Sequence, residues 1–212
     1  MKGHFKGCLI NPCYCDSKRY KLILAISVPI LILEILGGII SGSLALFADA
    51  AHVFHDLLAV TVAIIVEWGV KTRGKPEKEW RAVGGYINAA LLATISFWII
   101  IEAIDRFLFE YKVVSGIMIW TATLGAIGNY FQHRILASSI SEHVTHKGVS
   151  LHVLSDFWQS IAVVLTGIVI AFTGLFVFDI VISVVIALVF FCWSIKLFSL
   201  SRQQQIESEK EA

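Results

Sequence analysis

Six apolar stretches alternate with short polar segments along the whole chain. They cover residues 22–40, 44–70, 83–104, 113–136, 149–173 and 175–200. Each is about 20 residues long, which is the length that a helix needs to cross the ~30 Å hydrocarbon core of a bilayer. None has the period-2 alternation of a membrane β-strand. The pattern therefore predicts an all-α membrane protein, a six-transmembrane-helix bundle.

The composition supports this interpretation and leaves little room for anything else. Hydrophobic residues make up 57% of the 212 residues, whereas soluble domains have about 45–50% even with glycine counted. The longest polar connection, at 71–82, is too short to fold by itself. We expect a cytoplasmic N-terminal tail at 1–20, a transport domain at 21–200 and a short cytoplasmic C-terminal tail at 201–212.

The basic residues predict the orientation of the chain. If the N-terminus is cytoplasmic, only Arg106 and Lys112 of the 17 Lys and Arg residues lie on the outer side. Lys and Arg are enriched in cytoplasmic loops, so both termini are predicted to be cytoplasmic. We expect an integral, multi-pass protein of the cell (inner) membrane or of an organelle membrane. The lipid bilayer is its expected environment, and no nucleic-acid partner is expected.

Two of the stretches contain a His and an Asp four residues apart within the apolar run; ionisable side chains there are costly in lipid and mark function by default. The second contains HVFHD and the fifth contains HVLSD. Residues i and i+4 share one helix face, so His52 lies over Asp56 and His152 lies over Asp156. If the pairs face each other, they offer two nitrogens and two oxygens, a set that a tetrahedral divalent ion takes.

The placement of the two pairs favours one shared ion. The second and fifth spans run in opposite directions, and at about 1.5 Å per residue the carboxylates of Asp56 and Asp156 have similar depths. For either pair alone, an internal hydrogen bond between helices is the alternative. Metal binding requires neutral His and ionised Asp, so protons compete with the metal for the ligands. The pattern predicts metal/proton antiport by a secondary transporter that is not an enzyme.

Other polar residues near these motifs are possible auxiliaries. Asp49 lies one turn before His52 and is expected to orient it or relay protons, with helix packing as the alternative. His55 points about 100° away from Asp56, so we expect it to act indirectly and not as a ligand. Further candidates in the flanking segments, which could capture metal at the cytoplasmic mouth, are Cys8, Cys13, Cys15, His143 and His146.

Three segments resemble the cation diffusion facilitator family of the zinc-transporter type. SGSLALFADAAHVFHD at 41–56 resembles its second-helix signature, LHVLSDFWQS at 151–160 its fifth-helix motif, and RAVGGYINAALLATISFWIIIEAIDRF at 81–107 its third helix. Asn129 in the fourth span and Asp179 at the start of the sixth also fit the family pattern. The resemblance covers roughly residues 20–200.

The resemblance implies export of zinc, with cobalt, cadmium, iron or manganese as other cargo, in exchange for protons. The transported metal is then a substrate and not a cofactor. The family's transport site falls on His52, Asp56, His152 and Asp156, and homodimers are common in it. Members usually continue into a cytosolic ferredoxin-like domain, which we expect this chain to lack.

Two other classes of protein could use the same four side chains. A membrane-embedded metalloenzyme would need an open coordination position for water, and the sequence contains no HExxH motif. A structural helical bundle stapled by metal would hold its ion without exchange. Hydrolytic activity would favour the first class, and tightly held, non-exchanging metal the second.

Overall fold

The computed structural model describes residues 15–73, 77–109, 111–137 and 144–211. Within these ranges the chain forms six α-helices and no strand. They are α1 (Cys15–Ser41), α2 (Leu44–Arg73), α3 (Glu77–Leu108), α4 (Ser115–Ala137), α5 (Val144–Thr173) and α6 (Val177–Glu211). Each predicted span corresponds to one helix. The predicted fold class, an all-α membrane bundle, is confirmed.

Four helices in the described part of the chain are long and apolar enough to cross a membrane. They contain the segments Lys21–Ser41, Glu79–Leu108, His152–Thr173 and Val177–Glu209. Helices α2 and α4 contain buried polar side chains, such as Asp49 and His52 in α2 and Asn129 in α4. The orientation of the termini and the division at residues 20 and 200 stay predictions.

The surface of the helices is largely apolar, as expected for a protein that lies in lipid. Large side chains such as Phe172 (88% exposed), Phe107 and Trp120 (each 71%) are open to the surroundings. Soluble monomers rarely expose continuous apolar surface of this kind. A helix satisfies its backbone internally, so such a surface can face hydrocarbon.

Helices α1 and α6 are longer than the apolar stretches that predicted them. Helix α1 begins at Cys15, and α6 continues past Leu200 to Glu211. The polar run after Leu200 is rich in Gln and Glu, which have high helix propensity. Gln205 donates a hydrogen bond to Glu209 (3.1 Å) and accepts one from the Tyr86 hydroxyl (2.9 Å). These contacts account for a helix where hydropathy alone indicates a tail.

The chain divides into two compact units. The first unit comprises Met1–Ala50 and Tyr111–Asp179, and the second comprises Ala51–Glu110 and Ile180–Ala212. Helices α1, α4 and α5 therefore belong to the first unit, together with the N-terminal tips of α2 and α6. The second unit contains α3 and the remaining parts of α2 and α6.

In the first unit, α4 packs against both α1 and α5. Small residues let these helices approach closely, as is usual in membrane proteins. The Cβ of any larger residue at Gly37 of α1 would overlap the side chain of Thr121 on α4. Between α1 and α2, Gly42 has a φ of 70°, a left-handed conformation that costs glycine nothing.

In the second unit, hydroxyl groups join α3 to α6. The Ser96 hydroxyl donates to the carbonyl of Ala187 (2.7 Å), and the Ser194 hydroxyl donates to the carbonyl of Ala89 (2.9 Å). Both serines are buried. Since lipid offers no competing water, such bonds between helices help to hold the pair together.

Replacing Gly37 by alanine is expected to destabilise the first unit. The added methyl group meets the Cβ of Thr121, whose branched side chain cannot move away as a flexible one could. Overpacking of this kind costs about 1–3 kcal/mol, or a fall in Tm of roughly 3–10 °C for a chain of this size. Thermal unfolding of the purified protein in detergent measures it.

Gly116 is the matched control, because a Cβ at that position meets no atom within 4 Å. We expect Gly116→Ala to melt at or slightly above the wild-type temperature, since alanine is the better helix former. Equal melting temperatures for the Gly37 and Gly116 variants would contradict close α1–α4 packing.

Candidate metal centre

The α2 pair lies in the second unit, one turn apart on a single helix face. His52 Nε2 is 3.8 Å from Asp56 Oδ2. The His52 side chain is buried, and its ring stacks on Phe190 with the centroids 4.8 Å apart and an angle of 20° between the planes. Trp193 lies against the same ring, with centroids 5.8 Å apart. Packing on two aromatic rings restricts rotation of the imidazole.

The α5 pair lies in the first unit and has nearly the same internal geometry. His152 Nε2 is 3.9 Å from Asp156 Oδ2. The His152 side chain is 36% exposed and that of Asp156 is 10% exposed. The i, i+4 spacing on α2 and α5 thus produces two equivalent nitrogen–oxygen pairs, as the helical period predicts.

The separation within each pair would let its two side chains reach one ion. A nitrogen and an oxygen 3.8–3.9 Å apart are beyond hydrogen-bond distance. Two ligand atoms of one tetrahedral zinc ion, each about 2 Å from the metal, lie roughly 3.3 Å apart. A small adjustment of each side chain therefore allows its pair to bind an ion through both atoms.

Asp49 links the tip of α2 to α5. Its Oδ1 accepts a hydrogen bond from Gln159 Nε2 (2.8 Å), and its Oδ2 accepts one from the Ser160 hydroxyl (3.0 Å). Asn129 of α4 donates in turn to the Ser160 hydroxyl (3.3 Å). Asp49 and Ser160 are almost completely buried. This network joins the N-terminal tip of α2 to α5 within the first unit.

His55 is directed toward α3, within the second unit. Its Nε2 is 3.4 Å from the backbone carbonyl of Asn88, and its Nδ1 is 3.5 Å from Asp56 Oδ1. The imidazole is thus next to a carboxylate of the α2 pair while it contacts the backbone of a neighbouring helix. An indirect, auxiliary role for His55 stays a prediction.

The remaining auxiliary candidates lie outside what the structure describes. Cys8, Cys13 and His143 fall outside the described residues. Cys15 and His146 lie within α1 and α5, but their side chains are not described. Capture of metal by the flanking segments stays a prediction.

Asp179 makes contacts that the sequence pattern did not predict. Its buried carboxylate accepts hydrogen bonds from the Ser43 hydroxyl (2.6 Å), the backbone N–H of Leu44 (2.7 Å) and the backbone N–H of Ala45 (3.1 Å). It therefore caps the N-terminus of α2 from the first turn of α6. Ser43 adds a local cap by accepting from the N–H of Leu46 (3.1 Å).

Such a cap could have been suspected from one signal in the sequence. The first N–H groups of any helix lack partners, and a carboxylate is favoured there because of the positive end of the helix dipole. Asp179 is separated from Leu44 by 135 residues, so the partner could not be identified from spacing. The cap fixes where α2 begins, and hence the depth of the residues that follow.

Glu34 is the second residue whose environment the sequence did not predict. It lies in α1 and is fully buried. Neither carboxylate oxygen has a hydrogen-bond partner among the described residues. An acidic residue within a transmembrane span is the signal in the sequence that indicates a functional role.

Comparison with known proteins places this sequence in a family. Residues 20–204 match the family model described as "Cation efflux transmembrane domain". Zinc transporter ZitB of Yersinia pestis is 32% identical over 178 residues, which is 81% of this chain and 57% of the relative. Metal cation efflux system protein CzcD of Cupriavidus metallidurans is 33% identical over 181 residues, 82% of this chain and 56% of the relative.

A third relative carries a name that includes its coupling ions. The cadmium, cobalt and zinc/H(+)-K(+) antiporter of Bacillus subtilis is 31% identical over 165 residues, which is 74% of this chain and 53% of the relative. The chain spans a little over half the length of the curated relatives it matches. The match to the family model covers most of the chain, and it agrees with the motifs on α2 and α5: the chain belongs to the cation efflux family of membrane proteins.

Proposed function

We propose that this protein exports a divalent metal cation, zinc first, in exchange for protons. The ion binds between the side chains of His52, Asp56, His152 and Asp156. The observation that carries the proposal is the pair of His/Asp sets with i, i+4 spacing on α2 and α5, whose internal nitrogen–oxygen distances are 3.8 and 3.9 Å. A transporter and not an enzyme is proposed, and the names of the relatives describe transport or efflux.

The donor set supports a cargo with borderline chemistry. Two imidazole nitrogens and two carboxylate oxygens suit zinc in tetrahedral geometry. Imidazole also binds other transition metals, and the names of relatives include cadmium and cobalt. Iron and manganese remain part of the proposal as weaker cargo. The transported metal is a substrate here, and no resident cofactor is proposed.

Exchange for protons follows from the chemistry of the ligands. Zinc binding requires neutral imidazoles and ionised carboxylates, so binding releases protons and low pH releases metal. Histidine titrates near neutral pH, which lets a modest pH difference drive the exchange. Access alternates between the two sides of the membrane, with the cytoplasmic side loading metal. The homodimer and the cytoplasmic termini belong to the same proposal.

Metal uptake into proteoliposomes under an imposed pH gradient tests the proposal. With an acidic lumen, we expect zinc to accumulate several-fold above its level without a gradient, because protons leaving the lumen drive metal inward. Cobalt, cadmium and manganese are compared in parallel. A proton ionophore should abolish the accumulation.

Two results would contradict antiport. Zinc entry at the same rate and extent with and without the gradient would indicate a passive channel. Zinc that binds the purified protein but does not exchange with labelled zinc would indicate a structural metal site. Protein-free liposomes serve as the control for leakage.

A further inference from the structure

Glu34 is a buried carboxyl group that the four-ligand site does not use. Its side chain is fully buried in α1, and both oxygens lack a hydrogen-bond partner among the described residues. We propose that Glu34 is a separate proton-binding site, which holds a proton while the metal site is empty and releases it when metal binds. This inference rests on the proposed function, because metal/proton exchange gives the proton its role.

The structure provides space for this carboxyl group on one side. Gly125 of α4 presents bare backbone toward it, and a Cβ at that position would overlap Glu34 Oε1. The Ser160 hydroxyl of α5 lies 3.7 Å from the position that this Cβ at Gly125 would occupy. The carboxyl group of α1 is thus enclosed by α4 and lies near the polar residues of α5, all within the first unit.

An uncharged, protonated form is the one that this environment accommodates. A carboxylate that is removed from water and has no hydrogen-bond donor is costly, and such groups neutralise by taking up a proton. Asp49, by contrast, accepts hydrogen bonds from Gln159 and Ser160, which stabilise its charge. Where two buried carboxyl groups are neighbours, only one ionises readily, and here the one with donors is Asp49.

The charged groups that act on Glu34 are Asp49 from α2 and Asp156 from α5. From α4, the neighbouring position is Gly125, which has no side chain. Both acting groups are carboxylates, and one of them belongs to the proposed metal site. A divalent cation held by Asp56 and Asp156 neutralises both carboxylates of the site, so the negative charge near Glu34 is removed, which favours loss of the proton. Removal of the metal restores the original field and the proton returns.

The proton balance of this step is simple. On metal binding, the O–H bond of Glu34 breaks, the electron pair stays on the carboxylate oxygen and the proton passes to water. On metal release, a proton from water restores the O–H bond. Glutamine would fill the same space and keep the carbonyl group but could not take part in this step, so Glu34→Gln separates the exchangeable proton from packing.

Infrared difference spectroscopy of the full chain in lipid at neutral pH tests the site directly. Exposed carboxyl groups are ionised at this pH, so a protonated carboxyl C=O band reports buried groups. We expect a band in the metal-free wild type that zinc removes and that Glu34→Gln lacks. Glu102→Gln is the matched control, because Glu102 is half-buried and ion-paired to Arg106 at 2.9 Å, and it should retain the band.

Calorimetric zinc titration in two buffers of different ionisation enthalpy then counts protons. We expect Glu34→Gln to bind zinc within about threefold of the wild-type affinity and to release about one proton fewer per ion. An unchanged proton count, or a band that survives in Glu34→Gln or ignores zinc, would overturn the inference. If calorimetry detects no zinc binding by the wild type, the proposal of a four-ligand site fails. The infrared band of the metal-free protein then still shows whether Glu34 is protonated.

Discussion

Replacing His152 by alanine is expected to abolish zinc transport while the protein stays folded. The imidazole supplies one of four proposed ligands, and losing even a group that only orients a metal ligand costs about 10–100-fold in affinity. We therefore expect at least about a 100-fold loss of zinc affinity and transport at background level. Its side chain is 36% exposed, so removing it leaves little cavity and the melting temperature should change by only a few degrees.

His152 is a better target than His52 for this purpose. The ring of His52 is buried and stacks on Phe190, so His52→Ala combines a lost ligand with a lost aromatic contact. Those two effects could not be separated by a transport assay alone. His152→Ala changes the metal site with the smallest change in packing.

The measurement is zinc uptake into proteoliposomes together with zinc titration of the purified variant. His133→Ala is the matched control, since it also removes one histidine from a helix, α4, that contributes no proposed ligand. We expect the control to transport zinc at close to the wild-type rate. Full transport by His152→Ala would remove His152 from the site and, with it, the proposal of a four-ligand ion.

Helix positions and the two His/Asp pairs could be predicted because both depend on short-range periodicity. A span length of about 20 residues identifies each membrane helix, and i, i+4 spacing places His52 beside Asp56 whatever the rest of the chain does. The ends of the helices were harder to predict. Helix α6 continues to Glu211 because helix propensity persists where hydropathy falls.

The long-range contacts could not be predicted from one sequence. Asp49 could have packed, oriented His52 or relayed protons, and only the positions of Gln159 and Ser160 reveal that it joins α2 to α5. The isolation of Glu34 depends on a glycine on another helix, Gly125. Spacing along the chain contains no information about which helices meet there.

Replacing Asp179 by alanine is expected to be the most destabilising single change among those considered. The carboxylate accepts from the Ser43 hydroxyl and from two backbone N–H groups, those of Leu44 and Ala45. All of these residues are fully buried, so without Asp179 the donors have no water to replace it. Loss of a helix cap costs about 0.5–2 kcal/mol, and each hydrogen bond to a charged group contributes about 1.5–3 kcal/mol.

These contributions overlap, so we expect a total loss of about 2–4 kcal/mol and a fall in Tm of roughly 5–15 °C. Asp179→Asn should recover little. It keeps one acceptor oxygen but turns an amide donor toward another donor. Ser43→Ala should cost less than either, because Leu44 and Ala45 keep their acceptor. Thermal unfolding in detergent ranks the three variants, with Asp105→Asn as an exposed-carboxylate control.

The order of these variants distinguishes capping from a general need for negative charge. If the charge alone mattered, Ser43→Ala would melt like the wild type. Capping instead predicts a measurable loss in Ser43→Ala, since the Ser43 hydroxyl both donates to Asp179 and accepts from Leu46.

Because the capped turn leads directly to Asp49 and His52, a displaced α2 tip should also weaken zinc binding in proportion to the loss of stability. Normal zinc affinity in an Asp179→Ala protein with a lowered Tm would limit the cap to a structural role.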